Sequence, residues 1–322
     1  MAHVLVTGIA GGLARRVAEL LIARGDEVVG VDYRESPPPS GPGLEGLTVL
    51  RASYNKTSIE DVFRRRRYDV VLHLGRVGNL KESVGKRFDL NVVGTQKIMN
   101  LCVAHGVGRL VVLSTFHIYG ADPSNHIPIS EDEPLRAGVE FPQIADAIQL
   151  DNMASTWVYR HPEVSTAVLR PTNVVGATLQ NTMSRVLRSR RVPYVFGFNP
   201  MTQFVDEADL ARAVLAAASG DRAGVFNVAG PGALPWRTAL ELVGARSYPI
   251  VPALARAYSY ASGAPPPYLL RFLMYPCVIS DAAFRSAFGW APEVPLREAL
   301  VRSVGARAAR EAGAPGAAER AT

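Results

Sequence analysis

Residues 3–14 read HVLVTGIAGGLA, a short apolar run that passes through closely spaced glycines into an amphipathic stretch. Gly8 permits the tight turn after a strand, and Gly11, followed by Gly12, lets the backbone approach a pyrophosphate. Ala14 stands where a third small residue allows the next helix to pack on the strand. Because the N-terminus of that helix offers N–H groups and the positive end of its dipole to phosphates, the stretch predicts a dinucleotide-binding site.

An acidic residue supports the same site from the second predicted strand. Asp32 follows Gly8 by 24 positions, about where a carboxylate accepts hydrogen bonds from the adenosine ribose. Asp32 would repel a 2′-phosphate, which favours NADH, whereas Arg34, Arg15 and Arg16 are placed to accept one. The sequence therefore predicts NADPH or NADH as the cofactor and leaves the choice open.

The first half of the chain alternates β-branched runs with stretches in which apolar residues have helical spacing. This alternation is typical of an α/β Rossmann fold, a doubly wound parallel sheet with helices on both faces. The predicted strands are residues 3–6, 27–31, 47–50, 70–74, 109–113 and 165–169, and the predicted helices are 12–24, 57–66, 90–105, 144–160 and 182–191.

The pattern loosens after residue 176, which indicates a second, smaller substrate-binding lobe. We predict an NAD(P)-binding domain over 1–176, with 203–229 returning to it. The substrate lobe then takes 177–202 and 230–305, and 306–322 form a flexible tail because they lack an apolar face.

Composition excludes several classes of protein. The 322 residues carry 35 Lys and Arg against 29 Asp and Glu, and a net charge of +6 spread thinly along the chain does not indicate a nucleic-acid-binding protein. No apolar run reaches the length of a membrane span. Two cysteines, Cys102 and Cys277, are too few to cross-link a secreted fold, so we expect free buried thiols in a cytoplasmic protein with no metal site.

Further segments follow the glycine turn in a fixed order: VLHLG at 71–75, NVVGT at 91–95, LSTFHIYG at 113–120, LRPTNVVG at 169–176 and QFVDEADL at 203–210. With T-G-x-x-G-x-x-A at 7–14, they resemble the motifs of the extended short-chain dehydrogenase/reductase family, which also contains nucleotide-sugar epimerases and dehydratases. The resemblance extends to FGWAP at 288–292. It implies a Rossmann fold and a nicotinamide cofactor.

The resemblance also implies where the cofactor and the reacting carbonyl lie. In the family, a hydroxyl at the Thr115 position hydrogen-bonds the carbonyl, and Ser114 stands beside it as a second candidate catalytic residue. The adenine and its ribose are expected near Asp32, Tyr33, Arg34, Ser53 and Tyr54, although Ala52-Ser53 departs from the Gly-Asp that the family often has. The nicotinamide half is expected near Leu74, Gly75, Asn91, Leu113, Pro171 and Asn173.

One part of the family's machinery is missing. Its chemistry normally depends on a Tyr-x-x-x-Lys pair after the fifth strand, in which the lysine lowers the pKa of the tyrosine. Residues 141–151 read FPQIADAIQLD, and the four lysines of the chain all lie at or before residue 97. Alignment places either Phe141 and Ala145 or Gln143 and Ala147 in the two roles, so neither pair contains a titratable acid.

Four side chains are candidates for a replacement acid: His117, Tyr119, Asp146 and Asp151. The family pattern already has a tyrosine at the Tyr119 position, so we interpret Tyr119 as structural. His73, inside a predicted strand, is interpreted as a core histidine. Thr115 can stabilise a developing alkoxide by hydrogen bonding, but a hydroxyl is too weak an acid to deliver the proton unaided.

A substrate that carries its own proton would resolve this absence. In aromatic polyketides a phenol often lies beside the ketone, so the enzyme need only hold the ketone over the nicotinamide with water nearby. The missing pair and the intact cofactor end resemble the atypical ketoreductases of angucyclinone antibiotic pathways, which implies an aromatic ketone as substrate. Arginines and aromatics at 185–198 and an aromatic-rich stretch at 258–275 are candidates for the substrate lobe.

Three functions therefore stay open. The first is a ketoreductase acting on a polycyclic aromatic ketone. The second is a nucleotide-sugar epimerase or dehydratase, which the missing tyrosine disfavours because those reactions need a base. The third is a cofactor-binding regulator without catalysis, and the sequence does not indicate the oligomeric state.

Overall fold

The computed structural model describes residues 1–34, 41–78, 82–262 and 267–305. Within these ranges, a sheet of seven parallel strands forms the centre of the molecule, in the order β11-β6-β5-β4-β1-β2-β3. The strands in chain order are β1 His3–Thr7, β2 Glu27–Asp32, β3 Thr48–Arg51, β4 Val70–His73, β5 Arg109–Leu113, β6 Ser165–Pro171, β7 Asn173–Val175, β8 Arg191–Val195, β9 Met201–Thr202, β10 Phe204–Asp206, β11 Gly224–Val228, β12 Leu234–Pro235 and β13 Arg246–Ile250.

Helices cover both faces of this sheet, as in the predicted doubly wound fold. They are α1 Gly12–Ala23, α2 Thr57–Arg65, α3 Val84–Phe88, α4 Gly94–Ala104, α5 Ala137–Glu140, α6 Ala145–Arg160, α7 Thr182–Leu187, α8 Glu207–Ser219, α9 Trp236–Leu242, α10 Pro252–Ser262, α11 Pro267–Phe272, α12 Ala282–Phe288 and α13 Leu296–Val304. No helix among the described residues is long and apolar enough to cross a lipid bilayer.

The apolar spacing of the sequence explains how α1 is buried. Ala14, Val17, Ala18 and Leu21 follow the i, i+3, i+4, i+7 pattern of one helix face, and all four are buried. They belong to a core cluster that α8 shares on the same side of the sheet. A second cluster packs α2, α4 and α6 against the opposite face and contains Cys102. Both cysteines are buried and free, as predicted.

The predicted helix over 90–105 is only partly right. The structure has α3, then a π-helical turn at Asp89–Val93, then α4. Two contacts accompany the turn: the Asn91 amide bonds Val77 and Asp146, and a Cβ on Gly94 would lie 2.9 Å from the Tyr54 Cβ. π-turns of this kind are frequently found at functional sites.

The second lobe also differs from the prediction in detail. The helix predicted over 182–191 ends at Leu187, and Arg191 begins β8, which pairs in parallel with β13. Residues 203–229 contribute α8 and β11 to the Rossmann unit. Phe284 and Trp290 pack into the same core cluster as α1, so 230–305 also contribute to the Rossmann core. The predicted tail over 306–322 lies outside the described residues.

Candidate cofactor cleft and active site

A cleft of about 620 Å³ opens where the parallel strands end. It lies at the switch point of the sheet, where β4 and β2 flank β1 on opposite sides. In open α/β sheets, ligands bind in this crevice outside the carboxyl ends of the strands. The cleft is lined by the glycine turn, by the start of α6 and by residues between 171 and 185.

The glycine turn has the shape that the sequence predicts. Gly8 has φ +78°, and a Cβ there would lie 2.6 Å from the Cα of Gly75, so no other residue fits without displacing the backbone. The Gly8 N–H donates to the Tyr54 hydroxyl at 2.9 Å. Tyr54 is only 2% exposed, and burial raises its pKa. Tyr54 thus supports the turn and also lines the cleft, and its predicted contact with the adenine stays a prediction.

The start of α1 is suited to a pyrophosphate. Gly11 is the N-cap and supplies no side-chain hydrogen bond, so the first-turn amides of α1 have no acceptor within the helix. Gly12, Leu13 and Ala14 line the cleft at this point. Since uncapped amides and the helix dipole both favour an anion, these residues fit the diphosphate of a dinucleotide.

Asp32 lies at the adenosine end of the cleft and is 3% exposed. It accepts hydrogen bonds from the Ala10 N–H at 3.1 Å and from the Arg34 N–H at 2.9 Å. The Arg34 side chain folds back onto the same carboxylate, with Nε 3.1 Å from Oδ1 and Nη2 3.3 Å from Oδ2. Tyr33 and Arg34 line the cleft, whereas Arg15 and Arg16 do not, which favours Arg34 among these three arginines for a 2′-phosphate.

Most residues predicted for the nicotinamide half are brought together in the lining. Leu74, Gly75, Leu113, Pro171 and Asn173 face the cleft. Two predicted residues lie outside the lining. Ser53 hydrogen-bonds Asn55, and Asn91 fixes Val77 through bonds of 2.8 and 3.1 Å, so Asn91 supports the wall from behind.

The structure distinguishes the two alignments of the missing pair. Ala147 is buried and lines the cleft, whereas Ala145 is exposed and lies outside it. Phe141 packs against Phe272, with ring centroids 5.9 Å apart. The alignment that puts Gln143 and Ala147 in the two roles is therefore the one that brings its second position to the cleft, and the replacement of the pair stays a prediction.

Two charged residues lie beside Ala147 in the cleft wall. Arg87 and Asp146 are 4% and 5% exposed, and Arg87 Nη1 lies 3.2 Å from Asp146 Oδ1. Asn91 Nδ2 donates to Asp146 Oδ2 at 2.6 Å. The sequence predicts Asp146 as a candidate replacement acid but does not predict Arg87 beside it, because no sequence pattern indicates that α3 packs against α6.

Thr115 and His117 lie at the end of the cleft where the carbonyl is expected to react, which we call the reaction end. The Thr115 Oγ1 lies 2.8 Å from His117 Nδ1 and accepts the His117 backbone N–H at 3.4 Å. Phe116 and Phe272 enclose the imidazole, with ring centroids 4.3 and 4.9 Å away. Burial and, to a smaller extent, the charge of Arg76 lower the pKa of His117 to about 3. His117 is consequently neutral near pH 7 and holds no readily available proton.

The other replacement candidates belong to the protein core. Asp151 is fully buried, pairs with Arg170 at 2.7 Å and accepts the Ser114 hydroxyl at 2.5 Å. Tyr119 donates to Asn227 at 2.8 Å, and burial raises its pKa to about 12. Neither Asp151 nor Tyr119 lines the cleft. The interpretation of Tyr119 as a structural residue agrees with its buried hydrogen bond. The Ser114 proton is already donated to Asp151, and its predicted catalytic part stays a prediction.

His73 lies below the glycine turn and is a core histidine, as predicted. Its Nδ1 is 2.8 Å from Thr7 Oγ1 and its Nε2 is 2.8 Å from Thr95 Oγ1. Both ring nitrogens therefore have partners at 3% exposure, and burial lowers the pKa to about 4.

A narrow apolar pocket adjoins the reaction end and shares Asn173, Met183 and Leu269 with the cleft. Of the residues predicted for the substrate lobe, Phe272 lines this pocket and Arg185 lines the cleft. Phe196 is instead 63% exposed, and Arg188 donates to backbone carbonyls of residues 176–179. The side chains of Tyr258, Tyr260 and Tyr268 lie outside the described residues. The pocket is lined by Phe116, Asn173, Met183, Val186, Met201, Thr202, Trp236, Leu269, Phe272, Leu273 and Cys277.

Proteins of known sequence are similar to this chain over different shares of its length. An uncharacterised protein of Mycobacterium tuberculosis is 27% identical over 313 residues, which covers 92% of this chain and 82% of that protein. A UDP-glucose 4-epimerase of Oryza sativa subsp. japonica is 30% identical over 187 residues, or 54% of this chain and 50% of the relative.

Solved structures are similar over nearly the whole chain. MoeE5 in complex with UDP-glucuronic acid and NAD has a TM-score of 0.75 at 23% identity and covers 96% of this chain and 99% of that chain. This likeness confirms the Rossmann α/β fold. The sequence profile of the NAD dependent epimerase/dehydratase family matches residues 4–229, from β1 to the end of β11. With the glycine turn, the uncapped α1 and Asp32 all placed for a nicotinamide dinucleotide, the chain belongs to the NAD dependent epimerase/dehydratase family.

Proposed function

We propose that this protein is an NAD(P)H-dependent reductase that acts on a ketone of an aromatic, largely apolar substrate. The observation that carries the proposal is the composition of the reaction end. There the Thr115 hydroxyl stands beside an aromatic wall that includes Phe116 and Phe272. Gln143 and Ala147 occupy the places of the family's acid pair, and neither can titrate.

The cofactor fits the cleft through residues already described. The first-turn amides of α1 hold the diphosphate, and Asp32 accepts the adenosine ribose hydroxyls. When bound, the nicotinamide supplies the hydride. Leu74, Leu113 and Pro171 form the apolar surroundings of the ring and limit the access of water.

Thr115 has a defined part in orienting the carbonyl. Its oxygen accepts the His117 backbone N–H, and in the tautomer that protonates Nδ1 it also accepts the imidazole N–H. The hydroxyl proton is then directed away from His117 and is available to a substrate oxygen. This hydrogen bond polarises the ketone and stabilises the charge that develops on its oxygen.

The proton for the product comes from the substrate in this proposal. His117, with a pKa lowered to about 3, is neutral and does not act as an acid reservoir. With a nicotinamide bound to supply the hydride, the carbonyl oxygen would take its proton from a phenol that is hydrogen-bonded to it. Water then reprotonates the phenolate, so neither charge nor protons are left on the protein.

A nucleotide-sugar epimerase is the second candidate, and the names of the relatives favour it. Two of them, at 27% and 30% identity, are UDP-glucose 4-epimerases. The matches to these relatives cover about half of this chain. An epimerase would need a base to remove a sugar hydroxyl proton, and the neutral His117 beside Thr115 is the available nitrogen base at the reaction end.

The experiment that tests the proposal follows the absorbance of reduced nicotinamide in the purified protein. Phenol-flanked polycyclic ketones should oxidise NADH or NADPH, and the rate should fall when the phenol is methylated. UDP-glucose is tested in parallel for interconversion with UDP-galactose. Sugar epimerisation without ketone reduction would replace the proposal with the second candidate, and cofactor binding without any turnover would point to a non-catalytic regulator.

A further inference from the structure

Arg87 and Asp146 form a charged pair in the wall of the cleft that the mechanism above does not use. Arg87 comes from α3, and Asp146 comes from the first turn of α6. Their side chains are 4% and 5% exposed, yet both residues line the cleft. Asp146 directly precedes Ala147, which lines the same cleft.

The pair is held in one geometry by its neighbours. Arg87 Nη1 donates to the Gln143 carbonyl oxygen at 2.8 Å and lies 3.2 Å from Asp146 Oδ1. Asn91, 55 residues before Asp146, donates to its other oxygen at 2.6 Å. Since the Asn91 amide is itself tied to the backbone of Val77, neither the carboxylate nor the guanidinium is free to turn.

One donor of this buried pair has no acceptor. Among the described residues, nothing accepts a hydrogen bond from the Arg87 Nε, which is shielded from solvent. Buried polar groups nearly always have a partner, because leaving one unpaired costs its full desolvation. The guanidinium of a residue that lines the cleft is thus incompletely paired, which favours a polar acceptor on a molecule bound there.

The charges define the chemistry of that molecule. An anion would be repelled by the Asp146 carboxylate, and a cation would be repelled by Arg87. A neutral hydroxyl group suits both, because it donates to a carboxylate oxygen and accepts from a guanidinium N–H. A vicinal diol presents two such groups side by side.

We propose that Asp146 and Arg87 bind the hydroxyls of the ribose next to the nicotinamide. With the diphosphate on α1 and the nicotinamide beside Thr115, this ribose would lie near the ends of β4 and β5, where the first turn of α6 meets the cleft. Asp146 then does at this end what Asp32 does at the adenosine end. Both are positioning residues. The inference rests on dinucleotide binding alone and is independent of which substrate is reduced.

The decisive comparison is between NADH and ADP, because ADP lacks the second ribose. Asp146→Asn keeps the size of the side chain and its bond from Asn91 but removes the charge-assisted acceptor. Measured by calorimetry, this variant should bind NADH about tenfold more weakly and ADP within about twofold of the unmodified protein. Retained ADP binding also shows that the variant is folded.

Asp32→Asn is the matched control at the other ribose. Because NADH and ADP share the adenosine ribose, this variant should weaken both by a similar factor. Equal losses of NADH and ADP affinity in Asp146→Asn would overturn the inference and give Asp146 a purely structural part. Unchanged NADH affinity would overturn it as well.

A second measurement begins with the unmodified protein, so its first result does not depend on whether a variant folds. The unmodified protein should bind an NADH analogue that lacks the 2′-hydroxyl of the nicotinamide ribose about tenfold more weakly than NADH. In Asp146→Asn, NADH and this analogue should bind alike. If the variant still binds NADH about tenfold more tightly than the analogue, Asp146 does not bind this hydroxyl and the inference is wrong. If Asp146→Asn raises only the KM for the ketone, Asp146 binds a hydroxyl of the substrate, and the inference is wrong as well.

Discussion

The two ends of the cleft each hold an aspartate and an arginine, but in opposite surroundings. At the adenosine end, the Arg34 side chain is 50% exposed and pairs with Asp32 two residues away. At the reaction end, Arg87 is 4% exposed and pairs with an aspartate on another helix. The exposed arginine can leave its partner at little cost, whereas the buried pair cannot separate without leaving a charge unpaired. The adenosine end can thus adapt to different cofactors, while the reaction end is fixed.

The largest effect should come from removing the arginine at the buried end. Arg87→Ala leaves Asp146 buried beside Asn91 without its counter-charge and should lower the free energy of unfolding by about 3–5 kcal/mol. Arg34→Ala should lower it by less than about 1 kcal/mol, because that side chain is half exposed. Urea unfolding followed by circular dichroism measures both. Similar losses in the two variants would contradict the contrast between the ends.

A pH effect of comparable size should arise below the glycine turn and at the reaction end. The pKa values of His73 and His117 are lowered to about 4 and about 3 by burial, below the ordinary value of 6.5. At a pH between the lowered pKa and 6.5, each of these histidines is protonated in the unfolded chain but not in the folded protein. Stability should therefore fall as the pH decreases from about 6.5 to about 4, by up to about 3 kcal/mol for His73.

The contribution of His73 can be isolated by substitution. His73→Asn loses this titration, so the difference in unfolding free energy between the variant and the unmodified protein should shrink as the pH falls through this range. Parallel curves for the two proteins between pH 7 and pH 4 would show that His73 is not held neutral in the fold.

The next effect concerns the hydroxyl at the reaction end. Thr115→Val keeps the shape of the side chain but removes the hydrogen bond to the carbonyl oxygen, and kcat should fall about 100-fold. Thr115→Ser should restore most of it. The dissociation constant of NADH, measured alongside, should hardly change. A Thr115→Val enzyme with normal kcat would exclude the proposed orientation of the ketone.

The smallest effect should appear at the exposed end, in the choice of cofactor. If Arg34 leaves Asp32 to bind a 2′-phosphate, Arg34→Ala should lower the affinity for NADPH about tenfold. The affinity for NADH should stay the same or rise, because the Asp32 oxygens are freed for the ribose hydroxyls. Equal affinities for both cofactors before and after the change would mean that Arg34 only screens Asp32.

The sequence was most informative where a function needs neighbouring residues. The glycine turn, Asp32 and the strands of the sheet were predicted to within a few residues, because strand, turn and helix follow one another in the chain. The absence of a titratable pair at 141–147 was also visible directly, since no lysine follows residue 97. Residues at these places act through local backbone geometry or through their chemical identity.

Other features depend on residues that are distant in the chain. The sequence predicts Tyr54 near the adenine but does not predict that it packs under Gly8 and Gly75. That contact arises because β2, β1 and β4 are adjacent in the sheet. The apolar pocket combines residues from 116 to 277. Nothing in the local pattern of either region indicates these contacts.

The sequence by itself determined the Rossmann fold and the cofactor class, and it predicts the lack of the usual acid and base. Only the tertiary structure decided which polar groups lie in the cleft wall: Arg87, Asn91 and Asp146 meet because α3, the π-helical turn and α6 pack together. Hydrophobic periodicity specifies which face of each helix is buried, but it does not specify which polar groups meet there. That depends on burial, since a charge withdrawn from water is stable only beside the partners that the fold supplies.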